Sequence, residues 1–287
     1  MKKGTGSESL NEFLASIGGR EAPVPFFIAL LGRTVGESPL DSLARSTTPL
    51  AGASDGYWAE SRRPLVSLVF VTPLLVLYEG GVLLLGPGTL RNGADVWLRQ
   101  LLDGIGFGHY FLLPALTVGL LLAWHHLTHQ PWRVSSPVLV GMACECGVLA
   151  VALTWAGQFI ARLLPLPVHA ILIAAAPAGI FGRLIGFCGA GFYEEVLFRL
   201  LLLPAADAVF RGLGAKPLAG AIYAIAATSL VFAAAHYVGA HGDPWDLSTF
   251  VFRFFAGAFF AGLFAARGFG VAAGTHAVYD IFVGLFQ

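Results

Sequence analysis

Long apolar segments recur along the sequence from Pro64 to the C-terminus, and they constrain the fold more than any other feature. A transmembrane helix needs about 20 consecutive, predominantly apolar residues. Only 12% of the residues are charged and 56% are hydrophobic, whereas soluble domains average about 25% charged residues. We therefore predict an all-α fold: a polytopic membrane helix bundle of seven to eight transmembrane helices with a polar intramembrane cavity.

Seven segments have the composition of membrane spans. They are Pro64–Leu85, Phe107–Trp124, Val138–Phe159, Ala170–Leu203, Leu218–Tyr237, Phe250–Ala266 and Phe269–Phe286. The fourth has about 34 residues, so it suits either one tilted helix with an interfacial lead-in or two short passes. Arg62 and Arg63 precede the first span and favour a cytoplasmic N-terminus. We expect an integral protein of the bacterial inner (cytoplasmic) membrane.

Composition divides the chain into three predicted regions. Residues 1–63 are polar and Gly/Ser-rich, which indicates a peripheral or flexible N-terminal extension. Residues 64–169 hold the N-terminal transmembrane helices and, at Arg91–Asp103, a short amphipathic helix of the interfacial kind. Residues 170–287 form a transmembrane core that carries three polar motifs.

The first polar motif is Glu194-Glu195-x-x-x-Arg199, set inside the fourth apolar segment. Ionisable groups are costly in hydrocarbon and by default mark a function. On a helix, Glu195 and Arg199 are four residues apart and can pair. Glu194 lies ~100° away around the helix and is not paired with this arginine. Glu195 is therefore the structural carboxylate, and Glu194 is the candidate for chemistry.

The other two motifs lie in later spans. Phe232-Ala-Ala-Ala-His236 ends the fifth span, and His276-Ala-Val-Tyr-Asp280 lies in the middle of the last. His276 and Asp280 project from one helix face because they are four residues apart. Polar groups in hydrocarbon tend to face inward and meet one another. We expect all three motifs to converge on one water-containing cavity.

Such a cavity would contain a complete set of groups for peptide hydrolysis. Glu194 would take a proton from water, and His236 would hold that water from the other side. His276, oriented by a hydrogen bond to Asp280, would donate to the developing oxyanion. The set contains no serine or cysteine, so a covalent acyl-enzyme is disfavoured.

A metal site is the competing chemistry. Glu194, His236, His276 and Asp280 could supply three zinc ligands and leave a position for water. The sequence has no His-Glu-x-x-His unit, so the ligands would come from three separate helices. We favour a reaction that requires no cofactor, with Zn²⁺ as the alternative.

Further polar residues lie in or next to the earlier spans. Glu79 and Glu145 suit either helix packing or a functional role, and the sequence does not decide between the two. His125, His126 and His129 follow the second span closely. A polar interfacial loop explains these histidines more simply than a metal site does.

The order Glu-Glu-x-x-x-Arg, Phe-x-x-x-His and His-x-x-x-Asp resembles the CPBP family of intramembrane endopeptidases. This family includes CAAX prenyl proteases and bacteriocin-processing or Abi-type enzymes. The resemblance covers about Gly186–Phe286, roughly the C-terminal third of the chain. The family has been described both as zinc proteases and as metal-free glutamate proteases, so the resemblance leaves the metal question open.

The resemblance implies roles for individual residues. Glu194 and His236 look like the water-activating pair, and His276 and Asp280 look like the oxyanion-stabilising pair. Three residues have supporting positions: Glu195, Arg199 and Phe232. Many prenyl-protein proteases carry Asn at the position of Asp280, and an ionised aspartate cannot donate to an oxyanion. This departure weakens the case for a prenyl-protein substrate more than the case for hydrolysis.

The expected function is therefore intramembrane proteolysis of a protein or peptide with a C-terminal or membrane-proximal cleavage site, next to membrane lipid. The main alternative is a non-enzymatic membrane scaffold, immunity protein or transporter, since intramembrane carboxylates and histidines also build proton relays. The sequence shows neither the paired interrupted helices nor the internal symmetry of many transporters. Net charge is zero and no dense basic block is present, so no nucleic-acid partner is expected.

Overall fold

The structure, a computed structural model, describes residues 53–86, 91–163, 179–239 and 242–286. All of these belong to one compact unit, Pro49–Gln287. Within these ranges the chain is helical and has no strand, which confirms the predicted all-α class. Most of the predicted N-terminal extension, residues 1–52, lies outside the described residues. So does the start of the predicted fourth span, residues 170–178, and the boundaries of the three predicted regions stay predictions.

Ten α-helices and two π-helical segments are present in the described ranges. The α-helices are α1 (Ala53–Ser61), α2 (Pro64–Leu85), α3 (Gly93–Gly104), α4 (Leu112–Leu127), α5 (Ser136–Leu163), α6 (Ile180–Gly189), α7 (Leu203–Gly212), α8 (Pro217–Ala235), α9 (Leu247–Arg267) and α10 (Phe269–Phe286). The π-helical segments, Ala190–Glu194 and Val196–Leu202, lie between α6 and α7.

Four of the described helices are long and apolar enough to cross a membrane: α2, α5 over Ser136–Ile160, α8 and α9. The apolar helices α4 and α10 are shorter. These helices establish an integral membrane protein, while the predicted number of seven or eight spans stays a prediction. The predicted second span differs at its start, because Phe107–Phe111 precede α4. Gly106 has a φ of 89°, and the backbone N–H of Phe107 donates to Leu102 at 2.8 Å to close α3.

The predicted amphipathic helix is present as α3, but its polar face points into the protein. Asp95 is completely buried and accepts from Arg91 at 2.7 Å and from Arg99 at 2.6 Å. Arg99 also pairs with Glu79 of α2 at 2.9 Å. Two arginines thus neutralise two carboxylates, which buried charges require. Glu79 therefore has a packing role in this cluster.

Glu145 also has a structural partner. Its two carboxylate oxygens accept from Arg267 at 2.6 and 2.7 Å, and the hydroxyl of Tyr57 donates to the carboxylate at 2.5 Å. The guanidinium of Arg267 lies 3.7 Å from the ring centroid of Trp58. These contacts connect α1, α5 and α9, so Glu145 acts in helix packing.

One glycine allows the first π-helical segment to approach α10 closely. A Cβ atom built on Gly191 would lie 2.6 Å from Cβ, 2.7 Å from N and 2.8 Å from Cα of Ala277. Two of these atoms belong to the backbone, so they cannot move away as a flexible side chain would. The missing side chain at Gly191 therefore sets the distance between the segment that carries Glu194 and the helix that carries His276.

We predict that Gly191→Ala destabilises the protein by about 1–3 kcal/mol, the usual cost of adding a methyl group to a packed interface. Gly186→Ala is the matched control, because a Cβ there meets nothing within 4 Å. Thermal unfolding of both purified variants in detergent measures the difference. Equal unfolding temperatures for the two variants would contradict the close contact.

Candidate active site

The structure brings together side chains from all three polar motifs. Oε2 of Glu194 lies 4.0 Å from Nε2 of His236 and 3.8 Å from Nε2 of His276. The glutamate comes from the first π-helical segment, and the histidines come from the end of α8 and from α10. The polar residues of distant segments therefore meet, as the sequence analysis expected, while their catalytic roles stay predictions.

Two adjacent glutamates contact one histidine at the junction of the two π-helical segments. Glu194 contacts Nε2 of His276 at 3.8 Å, and Oε1 of Glu195 lies 2.8 Å from Nδ1 of the same ring. In the α-helix assumed from the sequence, neighbouring side chains diverge by ~100°. A π-helix has wider turns with i→i+5 bonds, is rare, and occurs frequently at functional sites. Glu194 ends the first π-helical segment and Glu195 lies between the two, and both carboxylates face α10.

Glu195 and Arg199 form the predicted ion pair at 3.2 Å, and both are almost fully buried. Nη2 of Arg199 donates to the carbonyl of Gly257 in α9 at 3.1 Å. The guanidinium lies 4.5 Å from the ring centroid of Phe232, a favourable cation–π distance. The pair therefore connects the π-helical segments with α8 and α9.

The orientation of His276 differs from the prediction. Nδ1 makes its hydrogen bond to Glu195 at 2.8 Å, and the ring stacks on Phe260 with a centroid distance of 4.4 Å. Oδ2 of Asp280 lies 3.6 Å from the other ring nitrogen, Nε2, which is longer than a hydrogen bond. Glu195, which lies between the two π-helical segments, therefore orients the imidazole. A carboxylate accepts, so Nδ1 carries the proton.

His236 is oriented by the backbone of its own helix. Its Nδ1 lies 2.8 Å from the carbonyl oxygen of Phe232. A carbonyl can only accept, so Nδ1 carries the proton and Nε2 faces Glu194. The ring of Phe232 also packs edge-to-face on this imidazole at 4.9 Å. Phe232 thus supports the site through both its carbonyl and its ring.

Asn92 is a site residue that the sequence analysis missed. Its Nδ2 donates to Oε1 of Glu194 at 2.8 Å, across 102 positions in the sequence. Asn92 is the N-cap of α3, and an Asn at the start of an amphipathic helix is a recognisable capping signal. No spacing rule connects such a cap to a glutamate so far along the chain, so only the fold reveals the contact.

A cavity of about 400 Å³ lies beside these residues, between the N-terminus of α3 and the C-terminus of α8. Its volume is in the range of ligand pockets. The lining includes Glu194, His236, Asn92, Arg91, Trp97 and Asp243. Glu194 and His236 therefore line a space large enough for a peptide segment, while the intramembrane position of this space stays a prediction.

The choice between a metal-free and a zinc-dependent reaction stays a prediction. No group of three or more His, Cys, Asp or Glu side chains in these ranges is arranged to hold a metal ion. One oxygen of Glu194 and the Nδ1 atoms of both histidines bind protein groups, whereas Oε2 of Glu194 faces both Nε2 atoms. His125 is buried against Trp132 at 4.6 Å, whereas His126 and His129 are exposed. We derive no chemical step through a metal.

The comparison with protein families gives an independent result. Residues 176–282 match the model of the family described as "Type II CAAX prenyl endopeptidase Rce1-like". The matched region contains Glu194, His236, His276 and Asp280. No curated protein matches the chain, and no solved structure does.

The apolar helices and the family match together define a membrane protease. More specifically, residues 176–282 are similar to the type II CAAX prenyl endopeptidases, which supports the predicted CPBP/CAAX protease family. The predicted family and the predicted enzyme class are thus confirmed. The match does not extend to α2 and α3, so Asn92 and its supporting residues lie outside the matched region.

We predict that Arg199→Met lowers the free energy of unfolding by about 3–5 kcal/mol, because it leaves the carboxylate of Glu195 buried without its cation. Arg211→Met is the matched control, because the side chain of Arg211 is 41% exposed and its ion pair with Asp207 is long, at 3.8 Å. Removing such a surface pair costs less than about 1 kcal/mol. Denaturation of both variants in detergent measures this, and equal losses would contradict the structural role of Arg199.

Proposed function

We propose that the protein is an intramembrane endopeptidase that hydrolyses a peptide bond in a membrane-associated protein substrate, with water activated by Glu194 and His236. One observation carries this proposal. Oε2 of Glu194 is buried, has no hydrogen-bond partner among the described residues, and faces two imidazole Nε2 atoms at 3.8 and 4.0 Å. A carboxylate oxygen placed in this way is suited to bind and deprotonate water.

In the proposed reaction, water binds between Glu194 and His236. The 4.0 Å separation of Oε2 and Nε2 allows both atoms to accept a hydrogen bond from one water molecule. Nε2 of His236 is free to accept because Nδ1 carries the ring proton. Glu194 takes a proton as the water oxygen attacks the carbonyl carbon of the substrate.

His276 stabilises the negative charge that develops on the substrate oxygen. Its Nε2–H donates to this oxygen, in the manner of an oxyanion hole. Three carboxylates lie within 4 Å of the ring and favour its cationic form: Glu194, Glu195 and Asp280. Glu194 then gives its proton to the leaving nitrogen as the C–N bond breaks. The products are a carboxylic acid and an amine.

Asp280 supports His276 through charge in this proposal. Its carboxylate lies 3.6 Å from Nε2 of His276, and an ionised aspartate cannot itself donate to an oxyanion. The oxyanion donor is therefore the imidazole alone. This assignment replaces the orienting hydrogen bond that the sequence analysis gave to Asp280.

The proposed substrate is the C-terminal tail or a membrane-proximal segment of a protein held at the membrane. The cavity of about 400 Å³ has room for a short peptide segment next to Glu194 and His236. The family description, a CAAX prenyl endopeptidase, supports a C-terminal tail. We place the enzyme in the bacterial inner membrane, next to lipid, with its N-terminus in the cytoplasm on account of Arg62 and Arg63.

We predict that Glu194→Gln lowers the cleavage rate by at least about 100-fold, because the amide cannot take the proton from water. Glu60→Gln, a change in α1, is the matched control and should retain the wild-type rate. The assay uses purified protein with a fluorogenic peptide that ends in a farnesylated CAAX sequence. A parallel comparison of protein termini in deletion cells, complemented with each variant, detects cleavage of the natural substrate whatever its sequence.

Two outcomes would contradict this proposal in different ways. Cleavage that persists in Glu194→Gln, or full complementation of the deletion by this variant, favours the non-enzymatic scaffold, immunity or transporter alternative. Cleavage that is lost after strong chelation and restored by Zn²⁺ favours the zinc-dependent version of the reaction. The metal-free mechanism predicts the same rate with and without the chelator.

A further inference from the structure

We infer that Asn92 is a positioning residue for the catalytic carboxylate: its side chain holds Oε1 of Glu194 so that Oε2 faces the two histidines. The inference rests on the proposed function and adds a residue outside the region that matches the family model. It also gives α3 a role in the reaction, although this helix contributes none of the sequence-predicted site residues.

The direction of the Asn92 amide follows from its two hydrogen bonds. Oδ1 accepts from the backbone N–H of Ala94 at 2.9 Å, as the N-cap of α3. A backbone N–H can only donate, so the oxygen of the amide must be on this side. The NH₂ group therefore points to Glu194, where it donates to Oε1 at 2.8 Å. The N-cap hydrogen bond therefore fixes the orientation of the amide, with its NH₂ group facing the carboxylate of Glu194.

The backbone of Asn92 is also hydrogen-bonded. Its N–H donates to the hydroxyl of Tyr78 at 3.0 Å, and this hydroxyl donates to Asp95 at 2.9 Å. Asp95 is in turn bound by Arg91 and Arg99. The charged cluster of α2 and α3 therefore places Asn92 at a defined position beside the glutamate.

This contact determines which oxygen of Glu194 is available for chemistry. The terminal torsion of a glutamate is broad and roughly two-fold, so either oxygen could face the histidines without a further constraint. The donor on Oε1 removes this freedom and leaves Oε2 within 4.0 Å of both imidazoles. Loss of the donor should therefore lower kcat and leave substrate binding unchanged.

The chain offers variants that separate this role from helix capping. Asp and Ser are as good as Asn at an N-cap, and Ala is poor. Asn92→Asp keeps the cap and the shape but replaces the donor with a second carboxylate. Asn92→Ser keeps the cap and is too short to reach Glu194. Asn92→Ala loses both functions.

The experiment measures kcat and KM with the farnesylated fluorogenic peptide, together with the unfolding temperature, for the full-length variants in detergent. We expect Asn92→Asp and Asn92→Ser to lower kcat by about 10- to 100-fold, the usual effect of losing a hydrogen bond to a charged group. KM should stay within about threefold for both variants, and the unfolding temperature of Asn92→Ser should equal that of the wild type, whereas the second carboxylate of Asn92→Asp lowers it.

Suppose that the wild type cleaves the peptide and that Glu194→Gln does not. Several results would then overturn this inference and leave the proposed function intact. One is a wild-type kcat for Asn92→Asp and Asn92→Ser, with a loss confined to Asn92→Ala, which would show that only capping matters. Another is a raised KM with unchanged kcat, which would make Asn92 a substrate-binding residue. Failure of both capping variants to fold would make its role structural. Equal behaviour of wild type and Glu194→Gln would overturn the proposed function, and this inference with it.

Discussion

The site depends on one buried carboxylate that serves two cationic partners. Glu195 is fully buried and lies 3.2 Å from Arg199 and 2.8 Å from Nδ1 of His276. An unpaired charge at this depth would be very costly, so each partner is needed to keep the others in place. The ion pair connects the π-helical segments with α9, and the histidine contact connects them with α10. The second glutamate, Glu194, is positioned as a consequence of this arrangement.

The two neighbouring glutamates therefore have separate tasks. Glu195 uses Oε1 to pair with Arg199 and to orient His276, whereas Oε2 of Glu194 faces the Nε2 atoms of His236 and His276. Both side chains face α10 from adjacent positions at the junction of the two π-helical segments. Gly191, one turn earlier, allows the backbone to approach Ala277 closely enough for these contacts.

Much of this site could be predicted from the sequence, and the parts that could not have physical reasons. Ionisable residues in apolar segments identified Glu194, His236 and His276, because hydrocarbon forces such groups to meet. The spacing of four between Glu195 and Arg199 predicted their pair. The spacing of four between His276 and Asp280 suggested that Asp280 orients the imidazole, whereas the hydrogen bond comes from Glu195 of another segment, a tertiary contact that no local spacing predicts. The inward polar face of α3 and the contact of Asn92 depend on tertiary packing across about a hundred residues.

The central claim is that Glu194 activates water and does not itself attack the peptide bond. A single turnover with excess enzyme in H₂¹⁸O tests this most directly, with mass spectrometry of both the product and the protein. Our account predicts one ¹⁸O atom in the new carboxylate of the product and no label in Glu194. Unlabelled product together with ¹⁸O in Glu194 would show a covalent intermediate on this carboxylate and would contradict the account.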